Sequence, residues 1–253
     1  MQPDQQIIWN QLNTSDLEGA IAFYEGLFGW TTKPEERATY VHFYMGDEAV
    51  AGCMPLMGGP GVPPHWSVHV GTSDIGAYAE RARAAGGREL FPCMDIPHVG
   101  KLHLFADPGG ACLMAYQPED MDRPIWGNRN ELGHFCWVEL MCRDAARSLE
   151  FYRKVVGWQT SSMDMGDKTY HMLAVPGAAP GEAIGGAMQN DFEEVPDHWL
   201  PYVRVESAQA AYDRALELGG KAYVPPKDIP GYGRFSVLAD PQGGVFAVFQ
   251  MGA

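Results

Sequence analysis

Basic residues are scarce in this sequence. Lys and Arg number 18 against 32 Asp and Glu, a formal charge of −14. Nucleic acids and anionic membranes are bound through basic patches, so neither is an expected partner. Cysteine is also scarce: Cys53, Cys93, Cys112, Cys136 and Cys142 make an odd count with no CxxC pair. That pattern builds neither a disulfide framework nor a zinc cluster, and it predicts free thiols in a reducing compartment. Long apolar runs are missing, so no membrane span is expected. The opening MQPDQQIIWNQL lacks a basic start followed by an apolar stretch, so no signal peptide is read. The expectation is a cytoplasmic protein whose partner is a small molecule.

What the sequence does have is a copy of itself. DIPHVGKLHLFADPGG, beginning at Asp95, returns as DIPGYGRFSVLADPQGG, beginning at Asp228, with Asp107 and Asp240 at the same 133-residue offset. DLEGAIAFYEGLFGW from Asp16 returns as DAARSLEFYRKVVGW from Asp144, at an offset of 128. The loop PGAAPGE, Pro176 to Glu182, accounts for the change of offset. A period of this size means two homologous domains. They are read as 1–117 and 131–253, joined by a polar linker, 118–130. In each half Asp16 or its counterpart is an N-cap, and apolar residues then recur at helical spacing from Leu17 to Phe28. Gly29 ends that helix, and Gly86-Gly87 ends a second one. The fold class is α+β, with two strand–helix–strands units per half. ADP-x-GG reads as a turn between sheet strands. DIP-x-x-G reads as a loop over the mouth of a cup.

D-x6-FY-x4-GW, the paired glycines and ADP-x-GG resemble the vicinal oxygen chelate superfamily, which includes glyoxalase I, bleomycin-resistance proteins and extradiol dioxygenases. The resemblance spans both halves and is similar to a bacterial branch with two such domains per chain. It implies two tandem domains, each of two βαβββ units curved into a cup. It also implies a divalent metal held by His, Glu or Gln from four strands, acting as a Lewis acid. Carried across, those positions fall on Trp9, Gly52, Ser67 and Met114 in the first half. In the second they fall on Trp137, Gly186, Leu200 and Ala247. None is an ordinary ligand for a hard divalent ion, so neither a cup metal nor another cofactor is expected. His65 and His198, two residues earlier, could each rescue one position. His42, His103, His134 and His171 show no metal-like spacing.

Strand alternation then assigns the cup faces. Trp9, Gln11 and Asn13 share a row, as do Trp137, Glu139 and Met141. Ser67, His69 and Gly71 form a third row, and Leu200, Tyr202 and Arg204 a fourth. Trp9, Gln11, Trp137, Tyr202 and Arg204 are candidate ligand-binding residues, through stacking and anion clamping. Glu139 and His69 are candidate catalytic residues as a proton-transfer pair. If the halves exchange units, Glu139 meets His69; if not, Glu139 meets Arg204 and Gln11 meets His69. The principal expectation is a glyoxalase-like small-molecule binding protein with aromatic-lined cups. The alternatives are a metal-independent lyase or isomerase using Glu139 and His69, a degenerate glyoxalase- or dioxygenase-type enzyme, and a non-catalytic structural or regulatory protein. Pairing of the two domains within one chain is compatible with a monomer.

Overall fold

The computed structural model describes residues 4–33, 40–57, 61–121, 129–166, 168–179 and 181–252. Most of the expected linker, 122–128, lies outside them. The elements alternate as the repeat requires. The first half holds β1 (Ile7–Thr14), α1 (Leu17–Phe28), β2 (Val41–Met45), β3 (Glu48–Pro55), β4 (His65–Gly71), α2 (Ile75–Ala84), β5 (Arg88–Ile96), β6 (Gly100–Ala106) and β7 (Cys112–Pro118). The second half holds β8 (Phe135–Cys142), α3 (Ala145–Val155), β9 (Gln159–Asp164), β10 (Thr169–Ala174), β11 (Gly185–Gln189) and β12 (His198–Arg204). It ends with α4 (Ala208–Glu217), β13 (Lys221–Ile229), β14 (Gly233–Ala239) and β15 (Val245–Met251). No helix among the described residues is long and apolar enough to cross a membrane.

Local chemistry starts and stops these helices. Asp16, Asp74, Asp144 and Ser207 each accept a hydrogen bond from the backbone N–H three residues on, at 2.9–3.2 Å. Each thereby satisfies one of the helix's unpaired amide donors. Gly29 closes α1 in the left-handed region, at φ 71°, where a Cβ would be penalised.

Each sheet is built from one half of the sequence. The seven-stranded sheet runs β2-β3-β1-β4-β7-β6-β5, and the eight-stranded sheet β13-β14-β15-β12-β8-β11-β10-β9. The halves therefore do not exchange strands. DIP-x-x-G is not a free loop: Asp95 and Ile96 end β5, Asp228 and Ile229 end β13, and three residues then turn into β6 or β14. It is a tight hairpin at each sheet's outer strand. The two turns after Ala-Asp-Pro are held by their aspartates. Asp107 Oδ1 accepts from the N–H groups of Gly109, Gly110 and Ala111 at 2.8–3.0 Å. Asp240 does the same for Gln242, Gly243 and Gly244.

The compact units are partitioned differently from the sheets. One gathers α2 and β5–β7 of the first half with α3 and β9–β11 of the second; the other gathers α1, β2 and β3 with α4 and β13–β15. Within each unit, D-x6-FY-x4-GW reaches from one half into the other. Phe23 lies against Gly220, and Phe151 against Gly87; a Cβ on either glycine would come within 3.0 Å of the ring. Tyr24 Oη donates to Asp240 Oδ2 at 3.0 Å and accepts from Trp66 Nε1 at 2.9 Å. Tyr152 Oη accepts from Trp199 Nε1 at 3.0 Å. Trp30 Nε1 donates to the Gly133 carbonyl at 2.8 Å, and Trp158 Nε1 to that of Gln5 at 2.7 Å. All six FY and GW aromatics are buried, each contributing about 1.5–3 kcal/mol of apolar burial. The motif occurs twice because each copy supplies what the other half needs.

Candidate functional site

The helix-facing side of each strand is apolar, which leaves the opposite face to carry chemistry. Val68, Val70, Val138 and Leu140 belong to one buried core with α2 and α3 residues. His69 and Glu139 alternate with them and so point away from that core, on separate sheets. The apolar layer lies between them. Glu139 and His69 are therefore not assembled as a pair, because the halves share helix packing but not sheets.

On the seven-stranded sheet, Trp9 Nε1 donates to Tyr40 Oη at 2.9 Å. That hydroxyl sits over Gly52, where an added Cβ would be only 1.9 Å away. His42 completes the cluster, 6.0 Å from Trp9 and 5.0 Å from Tyr40 between ring centroids. Gln11 stands beside Gly52 in the parallel β1–β3 register, and its Nε2 donates to Asn13 Oδ1 at 3.1 Å. Asn13 Nδ2 donates in turn to Ser67 Oγ at 2.8 Å. His69 is 2% exposed, neither ring nitrogen has a hydrogen-bond partner, and burial pushes its pKa down to about 3. It is neutral at physiological pH and a poor proton acceptor.

The eight-stranded sheet repeats the first device. Tyr170 Oη covers Gly186, 2.1 Å from where a Cβ would sit. Glu139 stands beside Gly186 in the β8–β11 register and is 7% exposed. Further along this sheet an apolar cluster joins Leu200, Tyr202 and Ala247 to the partly buried side chains of Cys136, Trp137, Phe235, Val237, Val245 and Phe249. Phe135 instead packs on Trp30 and Trp66, 5.9 and 5.3 Å away between ring centroids. Phe135 and Val138, three residues apart, both face helices, so strict alternation breaks at Cys136–Trp137 and both of those residues join the cluster. Burial pushes the Cys136 thiol up to about 12, against the opposing pull of the Arg204 and Arg129 guanidinium groups. Two cations thus stand near the aromatic wall. Burial lowers the pKa of Arg129.

Five of the sequence-derived candidates lie in these two neighbourhoods of the second compact unit: Trp9, Gln11, Trp137, Tyr202 and Arg204. Tyr40, Tyr170, Arg129, Phe235 and Phe249 were missed. The threonine–tyrosine pair at Thr39-Tyr40 recurs at Thr169-Tyr170 and is a signal that could have found the tyrosines. Arg129 was assigned to a linker.

Comparison with known proteins follows the same division of the chain. Residues 6–114 match the family model described as Glyoxalase/Bleomycin resistance protein/Dioxygenase superfamily, and residues 137–249 match the Glyoxalase-like domain model. CFP32 of Mycobacterium bovis, named as a candidate glyoxylase, is 34% identical over 96% of this chain and 93% of its own length. The anthracycline biosynthesis protein DauV of Streptomyces sp. (strain C5) is 29% identical over 96% of this chain and 92% of its own. The Mn(II)-bound glyoxalase from Novosphingobium aromaticivorans superposes with a TM-score of 0.66 at 15% identity, covering 99% of this chain and 83% of that one. At that identity the likeness is one of fold.

Proposed function

Because the chain belongs to the glyoxalase/bleomycin resistance protein/dioxygenase superfamily, with two of its domains in tandem, we propose that it binds a small, planar, anionic molecule without a metal in either cup. The observation that carries this reading is the aromatic cluster around Trp137, Tyr202, Phe235 and Phe249, with Arg129 and Arg204 near Cys136. Aromatic faces stack on a planar ligand, and a guanidinium fork holds a carboxylate or similar group with directional bonds.

The residues at the family's metal positions do not fit a divalent ion. Trp9 has no lone pair to offer, because that of its indole nitrogen belongs to the aromatic system, and its N–H donates to Tyr40. Tyrosine hydroxyls crowd Gly52 and Gly186. Leu200 and Ala247 carry no donor atom, and Ser67 and Met114 are poor donors for a hard cation. In this reading any step in the cups uses this chain's own groups. A second reading, a metal-independent lyase or isomerase, rests on Glu139 alone: a carboxylate 7% exposed and beside Gly186 is placed to take a proton. Its counterpart is Gln11, of similar shape but without basicity. The names of CFP32 and DauV are compatible with either reading and assign no substrate here.

The test is tryptophan fluorescence titration with planar aromatic carboxylates, such as anthraquinone-2-carboxylate, on wild type, Arg204→Ala and Glu139→Gln. Saturable quenching weakened about tenfold or more in Arg204→Ala supports the binding reading. Absence of saturable quenching across the panel, or unchanged affinity in Arg204→Ala, overturns it. Turnover lost in Glu139→Gln with affinity kept favours the lyase reading. Stoichiometric metal lost on His65→Ala or His198→Ala overturns the metal-free cups.

A further inference from the structure

His134, just before β8, has no metal-like spacing in the sequence, yet the fold brings two glutamates to it. It is 4% exposed. Its carbonyl accepts from the Arg204 N–H at 2.8 Å, and the preceding Gly133 N–H donates to the Arg204 carbonyl at 2.8 Å. The segment is therefore pinned to the end of β12. The Nδ1 atom of His134 lies 3.2 Å from the Leu132 carbonyl. A carbonyl only accepts, so a proton on Nδ1 makes that contact a hydrogen bond and leaves Nε2 as the nitrogen that faces the carboxylates. That nitrogen is buried, makes no hydrogen bond, and faces Glu48 Oε2 at 3.5 Å. Glu131 closes the group: donor atoms of Glu48, Glu131 and His134 all lie within 4.8 Å of one another. No other such trio of His, Cys, Asp or Glu occurs among the described residues.

We propose that Glu48, Glu131 and His134 bind a divalent first-row transition ion such as Zn2+, at a site separate from the cups. One nitrogen and two carboxylate oxygens make a borderline donor set suited to zinc or its neighbours rather than to calcium. Tetrahedral ligands of one such ion, at roughly 2.0–2.2 Å, stand about 3.3–3.6 Å apart. The exposed glutamates need only small rotations to close to that range, and their exposure leaves positions for water. A carbonyl on Nδ1 is the second-shell partner that orients a metal-binding histidine. Glu48 opens β3 directly after the turn from Met45, and Met45 packs on Gly133. The ion would clip the β2–β3 hairpin of the first half to the start of the second.

Chelator-treated full-length protein is titrated with ZnCl2 by calorimetry and by thermal unfolding. One equivalent is expected to bind, and Tm to rise by roughly 5–10 °C at a hundredfold excess over Kd. Glu48→Gln, on a half-exposed side chain, and His134→Gln each abolish the stoichiometric binding and the rise in Tm. They leave the far-ultraviolet circular dichroism of the metal-free protein unchanged. Wild type that shows no saturable binding below about 1 mM, or Glu48→Gln that still binds one equivalent with the same rise in Tm, overturns the site. If His134→Gln does not fold, Glu48→Gln alone decides.

Discussion

Replacing Tyr24 with Phe tests the interlock between the halves, because its counterpart supplies an internal control. Tyr24 Oη serves two buried groups: it accepts from Trp66 Nε1 and donates to Asp240 Oδ2, and Asp240 is fully buried. Removing the hydroxyl orphans an indole N–H and one oxygen of a carboxylate. A buried polar group stripped of its partner costs about 1–3 kcal/mol, so Tyr24→Phe is expected to cost about 3 kcal/mol, or roughly 6–12 °C in Tm for a chain of this size. Tyr152→Phe orphans only Trp199 Nε1, because Asp107 Oδ2 has no hydrogen-bond partner to lose. Its cost should be about half. pH adds a second signature. Burial raises the Asp240 carboxyl above its usual pKa, while Tyr24 and three backbone amides oppose the rise. Without Tyr24 it rises further. The cost of Tyr24→Phe is then fully present at neutral pH. It shrinks as acid protonates Asp240 through that raised pKa, since a protonated carboxyl no longer needs the phenol as donor. Urea unfolding of both variants at several pH values makes the measurement. Equal losses in the two variants, or a Tyr24→Phe cost that grows on acidification, would refute the reasoning.

Two further outcomes follow from the same geometry. His69, held near a pKa of about 3 by burial, takes up its proton in the unfolded chain first, so stability falls by roughly 1.4 kcal/mol per pH unit from about 6.5 down toward its folded value; His69→Leu should flatten that slope, and an NMR titration midpoint near 6.5 in the folded protein would contradict it. Gly52→Ala places a methyl group against Tyr40 Oη, breaks the Trp9–Tyr40 bond and should cost about 1 kcal/mol with the fold intact; unaltered urea stability and Trp9 emission would show that the hydroxyl does not occupy that space.

The parts of this molecule that are legible in its sequence are those set by local chemistry. Asp16, Asp74 and Asp144 announce helix starts because an N-cap acts within three residues, and Gly29 announces an end because its φ is local. The tandem repeat declares two halves of like element order. DIP-x-x-G was misread because a hairpin is recognised by its flanking strands, and the strands that lead into it, β5 and β13, are mostly exposed and lack a strong apolar alternation. The pairing of Glu139 with His69 depended on which units share a sheet and which share a helix core. These are separate tertiary choices, made in opposite ways here, and no spacing along the chain reports them. His134 was set aside for a related reason: Glu48 lies more than 80 positions away in the sequence, and packing such as Met45 on Gly133 brings the two together.

The reciprocal reach of Phe23, Tyr24 and Trp30 into the second half, and of Phe151, Tyr152 and Trp158 into the first, also bears on how the protein can change over generations. A chain carrying one copy would need a second molecule to supply the same contacts, and its assembly would weaken on dilution. Each substitution would then also appear in both members of the pair. Covalent fusion removes the dependence on concentration and lets the two copies drift apart. The divergence is visible at matched positions: Gln11 against Glu139, Ser67 against Leu200, His69 against Tyr202. One half can keep a network of amides and hydroxyls around Asn13 while the other acquires an aromatic wall, and a change that tunes one leaves the other untouched.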